Sequence, residues 1–225
     1  MDFIFMLTRQ DRTIADCLHV LDLVRPLKLN HIGFKDVGVD KKTLATLADR
    51  IRGAGAVSYM EVVSTSPADT LNSARTAVEL GVDRLLGGTD VQRIKDILKD
   101  SRIEYHPFCG FPSGHPTKLG GNPQQIEEHC RSFIGQDCSG TDLLAFRATS
   151  ADPIELVKAA RRGLGKARLI VAGSVSTCRQ IVDLRNAGAD AFTIGSAIFD
   201  GSYAKDKGSI LSQLATIESD CAAVS

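Results

Sequence analysis

An apolar run of four to seven residues recurs eight times along the chain, and each is followed by a stretch with apolar residues at helical spacing. The runs are Phe3–Leu7, His31–Phe34, Val57–Val63, Asp83–Leu86, Ile103–Phe108, Asp142–Phe146, Arg168–Ala172 and Ala191–Ile194. Leu44, Leu47 and Ile51 carry the helical period in one unit, Leu71, Ala74 and Val78 in another, and Ile154, Val157 and Ala160 in a third. Starts and stops agree with this. Ser66-Pro67, Asn122-Pro123 and Asp152-Pro153 each place proline at a first helical position, and Gly81 and Gly188 end helices just before the next run.

Strict alternation of strand and helix calls for a parallel sheet with right-handed crossovers. Eight units of about 28 residues suit a closed (β/α)8 TIM barrel, whose usual length is about 250 residues. An open doubly wound sheet would carry a glycine fingerprint after its first strand, where this chain reads Leu7-Thr8-Arg9-Gln10-Asp11. The expectation is one α/β domain over 1–225. Strand parity adds detail. In Asp142–Arg147, Leu144 and Phe146 suit the helix layer, which turns Ala145 and Arg147 to the axis, with Arg147 at the mouth. In Ala191–Gly195, Phe192 and Ile194 face helices, while Thr193 and Gly195 face the axis.

The seventh and eighth runs both end in a Gly-Ser pair, Gly173-Ser174 and Gly195-Ser196. Loops at these two places of a barrel commonly bind phosphate. Glycine lets the backbone approach an anion, free N–H groups point at its oxygens, and each serine hydroxyl adds a donor. The following Ala197–Gly201 is long enough for one short extra turn, whose start would share in the site. A last helix, roughly 208–221, closes the chain.

Chemistry in a barrel gathers at the C-terminal strand ends. Glu61 lies inside an apolar run; as an unpaired buried carboxylate it would be a general base poised near neutrality, and otherwise it is a structural group bonded to a neighbouring strand or paired with Lys35 across the barrel mouth. Lys35 is one of few lysines on a strand and suits an anchor for substrate oxygens, a proton carrier or a Schiff-base nucleophile. Asp36 follows it directly and so points the other way unless the strand has ended there; it would orient Lys35 or a helix start, or contact substrate. His106 would be the partner acid. Arg147, buried at a strand end, needs an anion: a substrate carboxylate or phosphate, or a protein carboxylate such as Glu61 or Glu104. Arg9 and Asp11 stand at the mouth of the first strand. Cys109–Gly121 is the longest irregular stretch, read as a lid whose His115 and Lys118 close over an anion.

Val171–Tyr203 resembles the C-terminal quarter of the ribulose-phosphate-binding barrels, most of all the sugar isomerases of histidine synthesis. The resemblance implies that Gly173, Ser174, Gly195 and Ser196 hold the phosphate of a phosphosugar-like ligand, with Ala197 at the start of the short extra turn joining them. Elsewhere the chain departs from these relatives. The histidine- and tryptophan-pathway isomerases use an Asp or Cys with an Asp on strands one and five, where this chain has Thr8-Arg9 and His106. The orotidine phosphate decarboxylases carry an Asp-x-Lys-x-x-Asp array on strand three, where only Glu61 stands. The keto-deoxy-phosphogluconate aldolases place a lysine on strand six, where Arg147 stands, while Lys35 in "GFKDVG" is similar to a strand-two lysine of the furan-phosphate synthases.

Lys plus Arg and Asp plus Glu are 27 each, so no charge excess calls for nucleic acid or an anionic membrane. Tryptophan is absent and aromatics are 5%, too few for a base-stacking platform. The six cysteines show neither C-x-x-C nor zinc spacing, which suits reduced thiols in the cytoplasm and gives no metal or cofactor. Met1–Leu7 is too short for a span and lacks a signal-peptide pattern. Three functions follow: an isomerase or epimerase moving a proton next to a carbonyl, an aldolase or lyase using a Lys35 imine, or a non-catalytic phosphometabolite-binding barrel. The partner is a small phosphorylated substrate, with a homo-oligomer allowed.

Overall fold

The computed structural model of the chain describes residues 1–64 and 66–223. Eight parallel strands form the central sheet: β1 (Asp2–Met6), β2 (His31–Lys35), β3 (Val57–Glu61), β4 (Arg84–Leu86), β5 (Glu104–His106), β6 (Gly140–Leu143), β7 (Arg168–Val171) and β8 (Ala191–Ile194). Their spatial order is β6-β7-β8-β1-β2-β3-β4-β5, so β5 and β6 are the two edges. These edges meet through a single parallel bridge, Phe108 with Asp142. Ser139 N–H donates to the Tyr105 carbonyl and Asp142 N–H to that of Pro107, both at 3.0 Å. Pro107 has no N–H to return, so the ladder stops there and the barrel is nearly closed. This is the (β/α)8 architecture.

The helices surround the sheet: α1 (Cys17–Val24), α2 (Lys41–Gly53), α3 (Pro67–Leu80), α4 (Val91–Leu98), α5 (Pro123–Gly135), α6 (Pro153–Leu164), α7 (Cys178–Asn186), the single turn α8 (Ser196–Phe199) and α9 (Ile210–Ala223). Ser66, Asn122 and Asp152 cap α3, α5 and α6 with their side chains, and proline follows each at the first turn. Gly81 ends α3 in the left-handed region at φ 59°. None of the helices among the described residues is long and apolar enough to cross a membrane.

Two cores result. The larger lies between sheet and helices and contains Phe192 and Ile194, as parity requires. The smaller fills the barrel with Ile4, Met6, Tyr59, Leu86, Ile170 and Ala191. The sixth strand departs from expectation. It spans Gly140–Leu143, and Ala145–Arg147 forms a 3-10 turn closed by Arg147 N–H on the Leu144 carbonyl. An apolar run alone does not separate strand from turn. Gly140 explains the early start: a Cβ there would stand 1.9 Å from the Arg168 carbonyl oxygen on β7. Gly140→Ala is therefore expected to lower stability by about 2–3 kcal/mol, the usual cost of overpacking. Urea denaturation checks this, and an unchanged midpoint contradicts the β6–β7 approach.

Candidate active site

The site begins with a sharp reversal. After β1 the chain folds back, pairing Thr8 with Thr13 and Arg9 with Arg12 in an antiparallel hairpin. The tip residues Gln10 and Asp11 have φ of 50° and 58°. Asn and Gly usually occupy such a tip, so this conformation costs about 1 kcal/mol or more per residue and needs outside support. The support comes from both sides. Thr13 Oγ1 donates to the Lys35 carbonyl at 2.7 Å and accepts from Lys35 N–H at 2.8 Å. On the other side Gln10 N–H donates to Ser196 Oγ at 3.2 Å, and Arg9 pairs with Asp200 at 2.6 Å. The hairpin thus crosses the mouth from β2 to the turn after β8.

This places Asp11, only 5% exposed, between two cations. Arg147 holds it with both terminal nitrogens, at 2.7 and 2.8 Å. Such a bidentate fork is the strongest form of this ion pair. Lys35 Nζ donates to Asp11 Oδ1 and to Glu61 Oε1, both at 2.9 Å. The Lys35–Glu61 contact follows from strand register, since the two residues are direct partners across β2 and β3. Burial pulls the Lys35 ammonium down, but the charges and hydrogen bonds of Glu61 and Asp11 outweigh it and hold the group above its ordinary value. Burial pushes Asp11 up, but Arg147 and Lys35 outweigh that and hold it well below the usual carboxylate range. Asp142 on β6 is fully buried, and neither carboxyl oxygen has a partner. Burial and the charge of Glu61 push it well above the ordinary value, against a smaller pull from Lys35 and Arg147.

Lys35, Glu61, Arg147 and Asp11 line one cleft of about 270 Å³ together with the turns after β7 and β8. Gly173, Ser174, Gly195, Ser196 and Ala197 all lie on its wall. Gly173 and Ser174 have φ of 76° and 64°, which curls the first turn around the cleft. The amides of Ser174, Val175, Ser196 and Ala197 donate to no backbone carbonyl among the described residues. Gly195 is required by close approach: a Cβ would stand 2.6 Å from Thr8 Oγ1 and 2.7 Å from the Thr8 carbonyl oxygen. A larger cavity of about 920 Å³ lies between α1 and α2 and contains none of these groups.

Several expectations need correction. Of the two readings of Glu61, the structure shows the pairing with Lys35 across neighbouring strands, not the unpaired carboxylate. Asp36 turns away from the axis: it accepts from Val63 N–H at 3.0 Å and from the Ser73 hydroxyl on α3, so it ties β2 to its neighbours and leaves the cleft. Lys118 is exposed and off the cleft; the expected lid is a hairpin, Phe111–Ser113 with Lys118–Gly120, and His115 is exposed at its tip. That segment reaches the site through the Thr117 carbonyl, 3.4 Å from Arg147. His106 is fully buried, off the cleft, and both ring nitrogens lack a partner. Phe108, two residues on, still bridges to β6, so His106 lies below the mouth. Burial, with the charges of Arg84 and Arg168 beside it, pushes its pKa down to about 3.

His106 therefore has a signature in stability. Below about 6.5 the unfolded chain takes up a proton on this ring, while the folded chain does so only near 3. Stability is lost as pH falls through that window. His106→Leu is expected to flatten the loss, read from urea midpoints between pH 7 and 4. An unchanged slope contradicts a neutral buried imidazole.

Asp11 and Asp142 complete the cluster that sequence reasoning left incomplete. Asp142 carried the same signal as Glu61, an acid at an apolar run. Asp11 carried none beyond its position after the first strand.

No family model matches the chain, and no curated protein sequence matches it. Solved structures do. Orotidine 5'-phosphate decarboxylase from Pyrococcus horikoshii OT3 is 14% identical, with a TM-score of 0.67 over 97% of this chain and 98% of that one. A native KDPGal structure is 10% identical, with a TM-score of 0.67 over 98% and 96%. A tryptophan synthase complex from Pyrococcus furiosus is 15% identical, with a TM-score of 0.63 over 88% of each chain. At these identities the likeness is one of fold: the chain is a (β/α)8 barrel.

Proposed function

We propose that this barrel is an enzyme that moves a proton next to the carbonyl of a small phosphorylated, sugar-like substrate, as an isomerase or epimerase. The observation that carries this reading is that a single cleft joins the paired Gly-Ser turns to the buried Lys35–Glu61 pair. The phosphate sits against the turns, and its charge is met by backbone amides, the hydroxyls of Ser174 and Ser196, and Arg147. Glu61 takes the proton. Lys35, held charged between two carboxylates, stabilises the enediolate oxygen that results. A cleft of about 270 Å³ suits a substrate of only a few carbons beyond the phosphate.

An imine mechanism needs the free amine of Lys35, and its pairing with Asp11 and Glu61 works against that. The deciding experiment follows deuterium from solvent into a panel of small ketose and aldose phosphates by proton NMR. Exchange at the carbon beside the carbonyl, lost in Glu61→Gln, is expected, with no adduct on Lys35 after borohydride. A Lys35 adduct favours the aldolase or lyase. Binding without exchange or adduct across the panel favours a non-catalytic phosphometabolite-binding barrel.

A further inference from the structure

Arg147 touches both halves of the cleft. Its terminal nitrogens are committed to Asp11. Its Nε turns toward the turn after β7, where a Cβ on Gly173 would stand 2.5 Å away. Asp11 Oδ1 is shared between Arg147 and Lys35, and Lys35 is bonded in turn to Glu61. An unbroken line of charged contacts thus runs from the turn after β7 to the acid–base pair. The hairpin makes a second link. Gln10 N–H donates to Ser196 Oγ, which leaves the serine's own proton free for an anion.

We propose that Arg147 and Asp11 are positioning residues that couple occupancy of the phosphate cup to the Lys35–Glu61 pair. This rests on the phosphate reading above. An anion against Gly173 and Ser174 draws the guanidinium toward it. Asp11 cannot follow, because the hairpin is pinned by Thr13 on Lys35 and by Arg9 on Asp200. The share of Asp11's charge that Arg147 neutralised then falls on Lys35. The groups acting on Lys35 are Asp11 from the hairpin, Glu61 from β3, Asp142 from β6 and Arg147 from the turn after β6. The phosphate end of the substrate would then do more than anchor it: its binding energy would set the charge that meets the developing enediolate.

The test uses inorganic phosphate. Its affinity is measured by calorimetry, and acetylation of Lys35 by acetic anhydride is followed by residue-resolved mass spectrometry across a pH series. Saturating phosphate is expected to slow Lys35 labelling in the wild type by about threefold, the effect of about half a pKa unit. In Asp11→Asn, phosphate is expected to bind within about threefold of wild type, while most of the slowing disappears. Asparagine tolerates the left-handed backbone at this tip, so the hairpin is kept. Arg147→Lys, which keeps the charge and loses the fork, serves should Asp11→Asn not fold: its phosphate affinity is expected to fall, and at saturation set for that variant by calorimetry most of the slowing is expected to disappear. Phosphate binding with unchanged wild-type labelling overturns the coupling. Equal slowing in wild type and variants overturns it too, because the effect is then through space. If calorimetry shows no phosphate binding, the phosphate reading falls, and the coupling with it.

Discussion

Lys35→Met is expected to destabilise the folded chain by about 3–5 kcal/mol, the cost of removing one partner from a buried ion pair. Lys35 is only 6% exposed, and both carboxylates that face it, Asp11 and Glu61, are buried at 5%. Methionine fills the volume of the stem but leaves two carboxylates with one guanidinium between them. Asp142, already unpartnered below them, adds to the repulsion when ionised. The pH dependence has two limbs. Lys35 titrates above its ordinary 10.5 in the folded chain, so its contribution is complete below that value and lost as pH climbs through the raised one. Asp11 titrates below its ordinary 3.8, so its contribution is present above that value and lost as pH falls through the lowered one. Wild type and Lys35→Met are thus expected to differ most around neutrality and to converge in acid. Urea midpoints at pH 7 and pH 3 measure the difference. Adding Glu61→Gln to Lys35→Met should recover part of the loss, because it removes one stranded charge. A loss below about 1 kcal/mol at pH 7 would place the pair among solvent-screened surface contacts and contradict the buried cluster.

Gly195→Ala is expected to weaken phosphate binding by at least about tenfold and stability by about 1–3 kcal/mol. The new Cβ has no free direction: it meets Thr8 Oγ1 at 2.6 Å, the Thr8 carbonyl at 2.7 Å and Met6 Cβ at 3.2 Å. The Thr8 carbonyl is backbone, so the hairpin must lift. Lifting it pulls Gln10 off Ser196 and Asp11 off Lys35 and Arg147. One methyl group thereby damages the proposed phosphate cup and the buried Asp11–Lys35–Glu61 cluster together. Gly53→Ala on α2 is the control, since nothing stands within 4 Å of its added Cβ. It is expected to be neutral or slightly stabilising. Calorimetric titration with inorganic phosphate reads both variants. Wild-type affinity in Gly195→Ala would show that the hairpin does not rest on the β8 turn as described.

The barrel was legible in the chain because two periods alternate without interruption, and because proline and glycine mark the helix ends. The Gly-Ser turns were legible because they fall at equivalent places in consecutive units. Lys35 and Glu61 stood out as charges in apolar runs on consecutive strands, which already allowed them to pair; the register that makes them direct partners is what the structure adds. His106 misled because Pro107 interrupts the ladder while the barrel wall continues to Phe108, which leaves the histidine below the mouth. Asp36 faces away from the axis, as a strand neighbour of Lys35 should, and Val63 and Ser73 take its oxygens there, so only its expected contact with substrate fails. Asp142 was hidden by an extended reading of the sixth strand. Asp11 was the least legible. Its burial depends on a strained two-residue tip held through Thr13 by Lys35, 22 positions after Thr13, and through Gln10 by Ser196, 186 positions after Gln10.

The phosphate position itself is the sharpest test. A crystal of the chain soaked with inorganic phosphate should show the anion between residues 173–174 and 195–197, with Arg147 Nε beside it and Lys35 across the cleft. Phosphate instead in the cavity of about 920 Å³ between α1 and α2, beside Arg25, Lys28 and Arg50, with the β7 and β8 turns empty, would contradict the phosphate cup and the function built on it.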